Sequence, residues 1–126
     1  MPLYERVLDN GLTVPDTEAN RLDICHTIPT TYAQATTTYT VGNKVSPSVG
    51  PPASASPNGR KVTVAQITDG TITATSTGTS DAAQFWALTD TVNSRLLAAG
   101  SLASAQMVTS GNTFTLAAFD IRIPGE

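Results

Sequence analysis

Hydrophobic and polar positions alternate through most of the second half of the chain. From Lys61 to Glu126, short alternating stretches are separated by turn residues, and few positions carry charge. Lys61-Val62-Thr63-Val64 turns its two valines to one side. Thr71-Ile72-Thr73-Ala74-Thr75 repeats the pattern, and Asp69-Gly70 between them predicts a hairpin. The strongest strand signal is Ala83 to Thr89, with Phe85 and Ala87 facing one way and Trp86 and Leu88 the other. Apolar residues on both faces predict a strand inside the fold, covered on each side. The cover is either another subunit or the first sixty residues. Asp90 to Ser94 reads as a turn and Arg95 to Ala99 as a strand that ends at Gly100. Ser101 to Ser110 adds Leu102, Met107 and Val108 without fixing a register. Thr113 to Ile123 reads as the last strand, ended by Pro124-Gly125. Phe114 and Leu116 share one parity, and Phe119, Ile121 and Ile123 the other, which predicts a bulge or corner near Ala117-Ala118.

The first half is less regular. Residues 1–19 form an entry segment, in which Asn10-Gly11 signals a turn and so a hairpin or an arm. Residues 20–28 alternate, with Leu22, Ile24 and His26 on one face and Arg21, Asp23 and Cys25 on the other. Arg21 and Asp23, on the same face, are expected to pair at the surface. Residues 30–41 combine a short helical turn over Thr31 to Ala35 with an extended stretch, Thr38 to Val41. Residues 42–59 contain four prolines, three glycines and four serines. That composition suits neither a helix nor a central strand, and predicts a long loop or an extended arm. Val45 and Val49 are its bulky apolar residues, and the stretch reads either as a contact with a neighbouring subunit or as a loose linker. Together these signals predict one all-β domain over residues 1–126, a β-sandwich of short antiparallel strands. Jelly-roll and immunoglobulin-like strand orders both remain open.

Composition sharpens this picture. A chain of 126 residues can bury a core without metal or disulfide staples. Only 13% of its residues are charged, about half the usual share. Threonine, the commonest residue, suits a strand and tolerates water. The net charge of -3 and the seven scattered basic residues exclude a basic face for nucleic acid. No apolar run approaches the ~20 residues of a helical membrane span. The first residues lack the basic head and apolar core of a secretory leader, so synthesis in a cytoplasm is expected.

Candidate chemistry is sparse. One cysteine and one histidine give neither a disulfide nor a metal cluster. Cys25 and His26 are adjacent, so on a strand they face opposite sides and cannot act as nucleophile and base. Asp16, Glu18 and Asp23 read as solvated turn carboxylates. No nucleophile elbow and no phosphate loop are present. No catalytic, cofactor or metal residue is assigned, and an enzyme is not expected. Val45, Val49, Phe85, Trp86, Tyr32 and Tyr39 are the candidate subunit contacts, because interface energy concentrates on a few large anchors.

Several strings carry a resemblance. Arg21 to Cys25, Pro29 to Thr36, Val41 to Lys44 and Ser56 to Val62 resemble small structural proteins of tailed phages of α-proteobacteria. Gly78 to Asp90, Leu96 to Gly100 and Val108 to Phe114 are similar to β-sandwich modules that phages place on heads or tails. The resemblance implies a virion component, best matched by a head decoration (cement) protein on the outer capsid surface. It further implies binding to the major capsid protein, self-association with a trimer as one arrangement, and no cofactor. The alternative is a tail, neck or fibre protein, or a glycan-binding module using Tyr32, Tyr39 and Asn43.

Overall fold

The computed structural model describes residues 5–55 and 59–123. A helix, α1 (Glu5–Glu18), precedes β1 (Arg21–Cys25), β2 (Thr40–Val45), β3 (Ala53–Ser54), β4 (Arg60–Val64), β5 (Ile67–Ile72), β6 (Ala83–Asp90), β7 (Arg95–Gln106), β8 (Thr113–Leu116) and β9 (Phe119–Ile123). The fold is all-β. A curled six-stranded antiparallel sheet runs β7-β6-β1-β2-β5-β8, and a three-stranded sheet runs β3-β4-β9. Leu22, Ile24, Val41, Ile72, Leu88 and Phe114 from the larger sheet meet Val64, Phe119 and Ile121 from the smaller one in a shared core.

The alternation of β1 and β6 is realised. β6 lies between β1 and β7, with Leu88 opposite Leu22 and Trp86 opposite Ile24. Trp86 and Leu88 face the main core. Phe85 and Ala87 face a second cluster with Cys25, Ala35, Tyr39, Leu96 and Ala99. The cover on that side comes from this chain. A helical turn after Pro29 ends in one π-helical turn, Gln34–Thr38, which lays Ala35 on the sheet. Its start is capped as expected: the Gln34 N–H donates to Thr31 Oγ1, and the Thr30 N–H donates to Gln34 Oε1.

Four expectations are corrected. The entry segment is helical from Glu5 on; residues 1–4 lie outside the described residues. Leu12 and Pro15, three apart on one helical face, are both buried, and the helix packs chiefly on β4. That burial outweighs the local Asn10-Gly11 turn signal and the hydrogen bond lost at Pro15. Next, Asp69-Gly70 is not a turn, and β4 and β5 do not form a hairpin. Both residues lie inside β5, and the chain changes sheets between Val64 and Ile67. Gly70 sits opposite Phe114, whose ring occupies the space a Cβ would need. Likewise Gly100 does not end a strand. It lies within β7 beneath the Trp86 indole, where a Cβ would come within 2.7 Å of Cζ2. The last correction concerns the chain end. The parity change at Ala117-Ala118 is a corner, but it divides β8 from β9 and moves the chain to the other sheet. Pro124-Gly125 lies outside the described residues.

The 42–59 stretch is not a single loop or arm: residues 42–45 belong to β2, inside the large sheet, and the rest of its described part is anchored to its own chain. The Gly50 N–H donates to the Thr63 carbonyl at 2.9 Å and the Ala65 N–H to the Ser48 carbonyl at 2.8 Å. Val49 bridges to Val64, and Ala53-Ser54 forms the edge strand β3. Pro47, Pro51 and Pro52 lie outside the strands, so none of them has to supply an N–H to a ladder.

Candidate interaction surface

The strand ends sort the loops into two sets. Arg21, Val45, Asp90 and Arg95 lie at one end of the large sheet; Cys25, Thr40, Ala83 and Gln106 lie at the other. At the first end Asn20 holds two loops together. Its Oδ1 accepts from the Thr91 N–H and hydroxyl at 2.9 and 3.0 Å, and its carbonyl accepts from the Ser46 N–H at 2.9 Å. Its own N–H donates to the Thr89 carbonyl. Asp90 shapes the second loop, accepting from the N–H groups of Val92 and Asn93 and from Asn93 Nδ2. The Asn93 side chain is the main reason the Asp90 carboxyl titrates below its ordinary range.

Each loop holds one residue in a left-handed conformation, Ser46 with φ 58° and Ser94 with φ 55°. Among the described residues these are the non-glycine residues with positive φ, and such backbone costs about 1–3 kcal/mol unless the surroundings enforce it. Each loop also holds an outward valine: Val45 is 63% exposed and Val92 81%. Val45 and Thr89 flank Arg21 on either side, so the two loops stand about two strand spacings, ~10 Å, apart. Two ion pairs stand near this end, Lys44 Nζ 3.0 Å from Asp69 Oδ2 and Arg95 Nη1 3.8 Å from Glu18 Oε1, and Lys44 leaves β2 on the opposite face from Val45. Two exposed valines on loops already held by hydrogen bonds can meet a protein partner with little ordering cost.

Of the six expected contact residues, Val45 lies on this surface. Val49 is half-buried against the core beside Val64. Phe85 belongs to the outer cluster, and Trp86 packs on Phe119 with ring centroids 4.5 Å apart. Tyr39 meets His26 edge-on at 5.4 Å, at the opposite end of β1 from Val45. Tyr32 is half-buried in the helical turn. The structure therefore does not gather these residues into one patch. Sequence reasoning missed Val92, although an apolar residue in the middle of the Thr91-Val92-Asn93-Ser94 turn is itself a signal.

The titratable groups elsewhere serve the fold. Asp23 is fully buried, so its pair with Arg21 is not a surface pair. Arg21 Nε and Nη2 donate to the two Asp23 oxygens at 2.8 and 2.9 Å, and the Thr40 hydroxyl donates to Oδ2 at 2.6 Å. Burial pushes the Asp23 carboxyl above its ordinary range, while those hydrogen bonds pull it back. Cys25 is buried, and burial pushes its thiol up to about 12, so little thiolate exists at neutral pH. Among the described residues no three of His, Cys, Asp and Glu gather where they could hold a metal ion. No helix among them is long and apolar enough to cross a membrane. No family model, curated protein or solved structure matches the chain.

Proposed function

We propose that this chain is a structural protein of a phage particle, a decoration protein that docks on the assembled head shell and stabilises it. The observation that carries the reading is the pair of hydrogen-bonded loops that present the exposed Val45 and Val92 at one end of the large sheet. A protein that binds the assembled lattice and not its free subunits lowers the free energy of the shell by mass action. It needs a preorganised surface and no reactive group. The charge-poor, threonine-rich composition and the resemblance of the Arg21 to Lys44 strings to phage structural proteins support the same reading.

The test is the copy number of the chain in purified particles, by quantitative mass spectrometry. Many copies per head are expected, together with faster heat-induced rupture of heads that lack the chain. A few copies located at the tail would replace this reading with a tail or fibre role. Double substitution of Val45 and Val92 by lysine is expected to leave the fold intact and remove the chain from heads. Full occupancy by that variant would overturn the assignment of the surface.

A further inference from the structure

The two outer strands of the large sheet, β7 and β8, do not pair with each other among the described residues. Because the sheet curls, both strands contribute to one cavity of about 60 Å³. Leu102 and Gln106 of β7, Phe114 and Leu116 of β8, and Val108 between them line it. The lining is mainly apolar, with Gln106 and Thr115 as its polar residues, and the cavity opens to solvent. It has room for more than one water molecule, yet offers few polar partners to hold them. An apolar group of a few heavy atoms suits it.

Such a group stands beside the opening. Met107 lies between the lining residues Gln106 and Val108 and is 61% exposed. A methionine ends in sulfur and methyl on a flexible stem, and adapts to irregular apolar holes. Its neighbours Gln106 and Val108 line the cavity while its own side chain is exposed, so it is placed to fill the cavity of another copy. Plug and socket on one patch are the requirement for a two-fold contact, in which each copy gives what it receives. The electrostatics permit it: no residue from Leu96 to Phe119 is charged, although the whole chain carries -3. Two copies can therefore face each other here without like charges meeting. The β7 edge has no proline and no lysine to repel another strand, and its main protection is two register shifts against β6.

We propose that two copies of this chain associate through the β7–β8 seam, each inserting Met107 into the other's cavity. The seam is at the opposite end of β7 from Arg95 and the valine loops, so this contact and the docking surface above can be occupied together. The proposal does not rest on the phage reading. Sedimentation equilibrium of the purified chain tests it, with methyl-labelled methionine followed by NMR. A concentration-dependent dimer is expected. The Met107 methyl signal should move upfield as the dimer forms, because the Phe114 ring lines the socket. Met107→Lys should weaken the dimer by about tenfold or more, and Met107→Leu much less. Met107 is exposed, so both variants should keep the wild-type fold. A strict monomer at the highest attainable concentration would overturn the proposal. So would a dimer indifferent to Met107→Lys, or a small apolar molecule held by a monomer in native mass spectrometry.

Discussion

The two sheets secure themselves in opposite ways. The three-stranded sheet has a polar ladder on its exposed face. Lys61 Nζ lies 3.2 Å from Asp120 Oδ2, and the Thr63 hydroxyl donates to Asp120 Oδ1 at 2.6 Å. Its edge strand β3 follows Pro51-Pro52, and β9 carries Asp120 and Arg122, features that discourage a further strand. Among the described residues, the six-stranded sheet buries one ion pair, Arg21–Asp23, carries exposed pairs only toward its valine-loop end, and is uncharged from Leu96 to Leu116 along the β7–β8 side. One sheet is thus closed to partners by surface charge. The other is stabilised from within and open at its seam. The difference teaches that a charge-poor chain can still place its few charges where they set which side is left open.

The largest test of this contrast is Arg21→Met. It leaves the buried Asp23 carboxylate without its cation, and breaking such a pair costs about 3–5 kcal/mol. Urea unfolding should show a loss of that size. A loss as small as that of an exposed pair would erase the contrast. Gly70→Ala ranks next, because its methyl would enter the Phe114 ring. Overpacking there should cost about 1–3 kcal/mol, with Phe114→Leu in the same chain recovering part of it. Lys61→Met, on the surface ladder, should change stability by about 1 kcal/mol or less. A larger loss would place the ladder on a par with the buried pair.

The smallest expected effect concerns pH. Asp81, Asp90 and Asp120 titrate below their ordinary range, held chiefly by the Thr77 N–H, the Asn93 side chain and the Thr63 hydroxyl respectively. Their contribution is present above the unfolded-state value of about 3.9 and is lost as pH falls through their folded values. Asp23 is shifted the other way, so its term favours the fold below its unfolded value and fades as pH rises through its folded one. Thermal midpoints should therefore fall on acidification below about pH 4. Asp120→Asn should flatten that fall slightly, and an unchanged slope would remove Asp120 from the account.

The amino-acid sequence by itself determined the strands whose partners change little about them. β1 and β6 are visible as alternation because their two faces differ in hydrophobicity, and period-two patterning is a local property. The helical turn before Thr40 is visible for the same reason, since Thr30, Thr31 and Gln34 cap it within five residues. The parity change at Ala117-Ala118 also marked a real corner. Of the candidate surface, Val45 was legible as a bulky residue in a polar stretch, but its exposure was not. Only the tertiary structure decided which sheet each strand joins. β4 and β5 look like a hairpin, and β8 and β9 like one strand, until non-local pairing sends them to different sheets. Gly70 and Gly100 read as punctuation locally, and the rings of Phe114 and Trp86 give them another purpose. α1 exists because Leu12 and Pro15 find buried places, something no local turn signal records. The seam and the paired valine loops belong to the same class. They bring together residues far apart in the chain, and such contacts depend on how the whole sheet curls rather than on any one stretch.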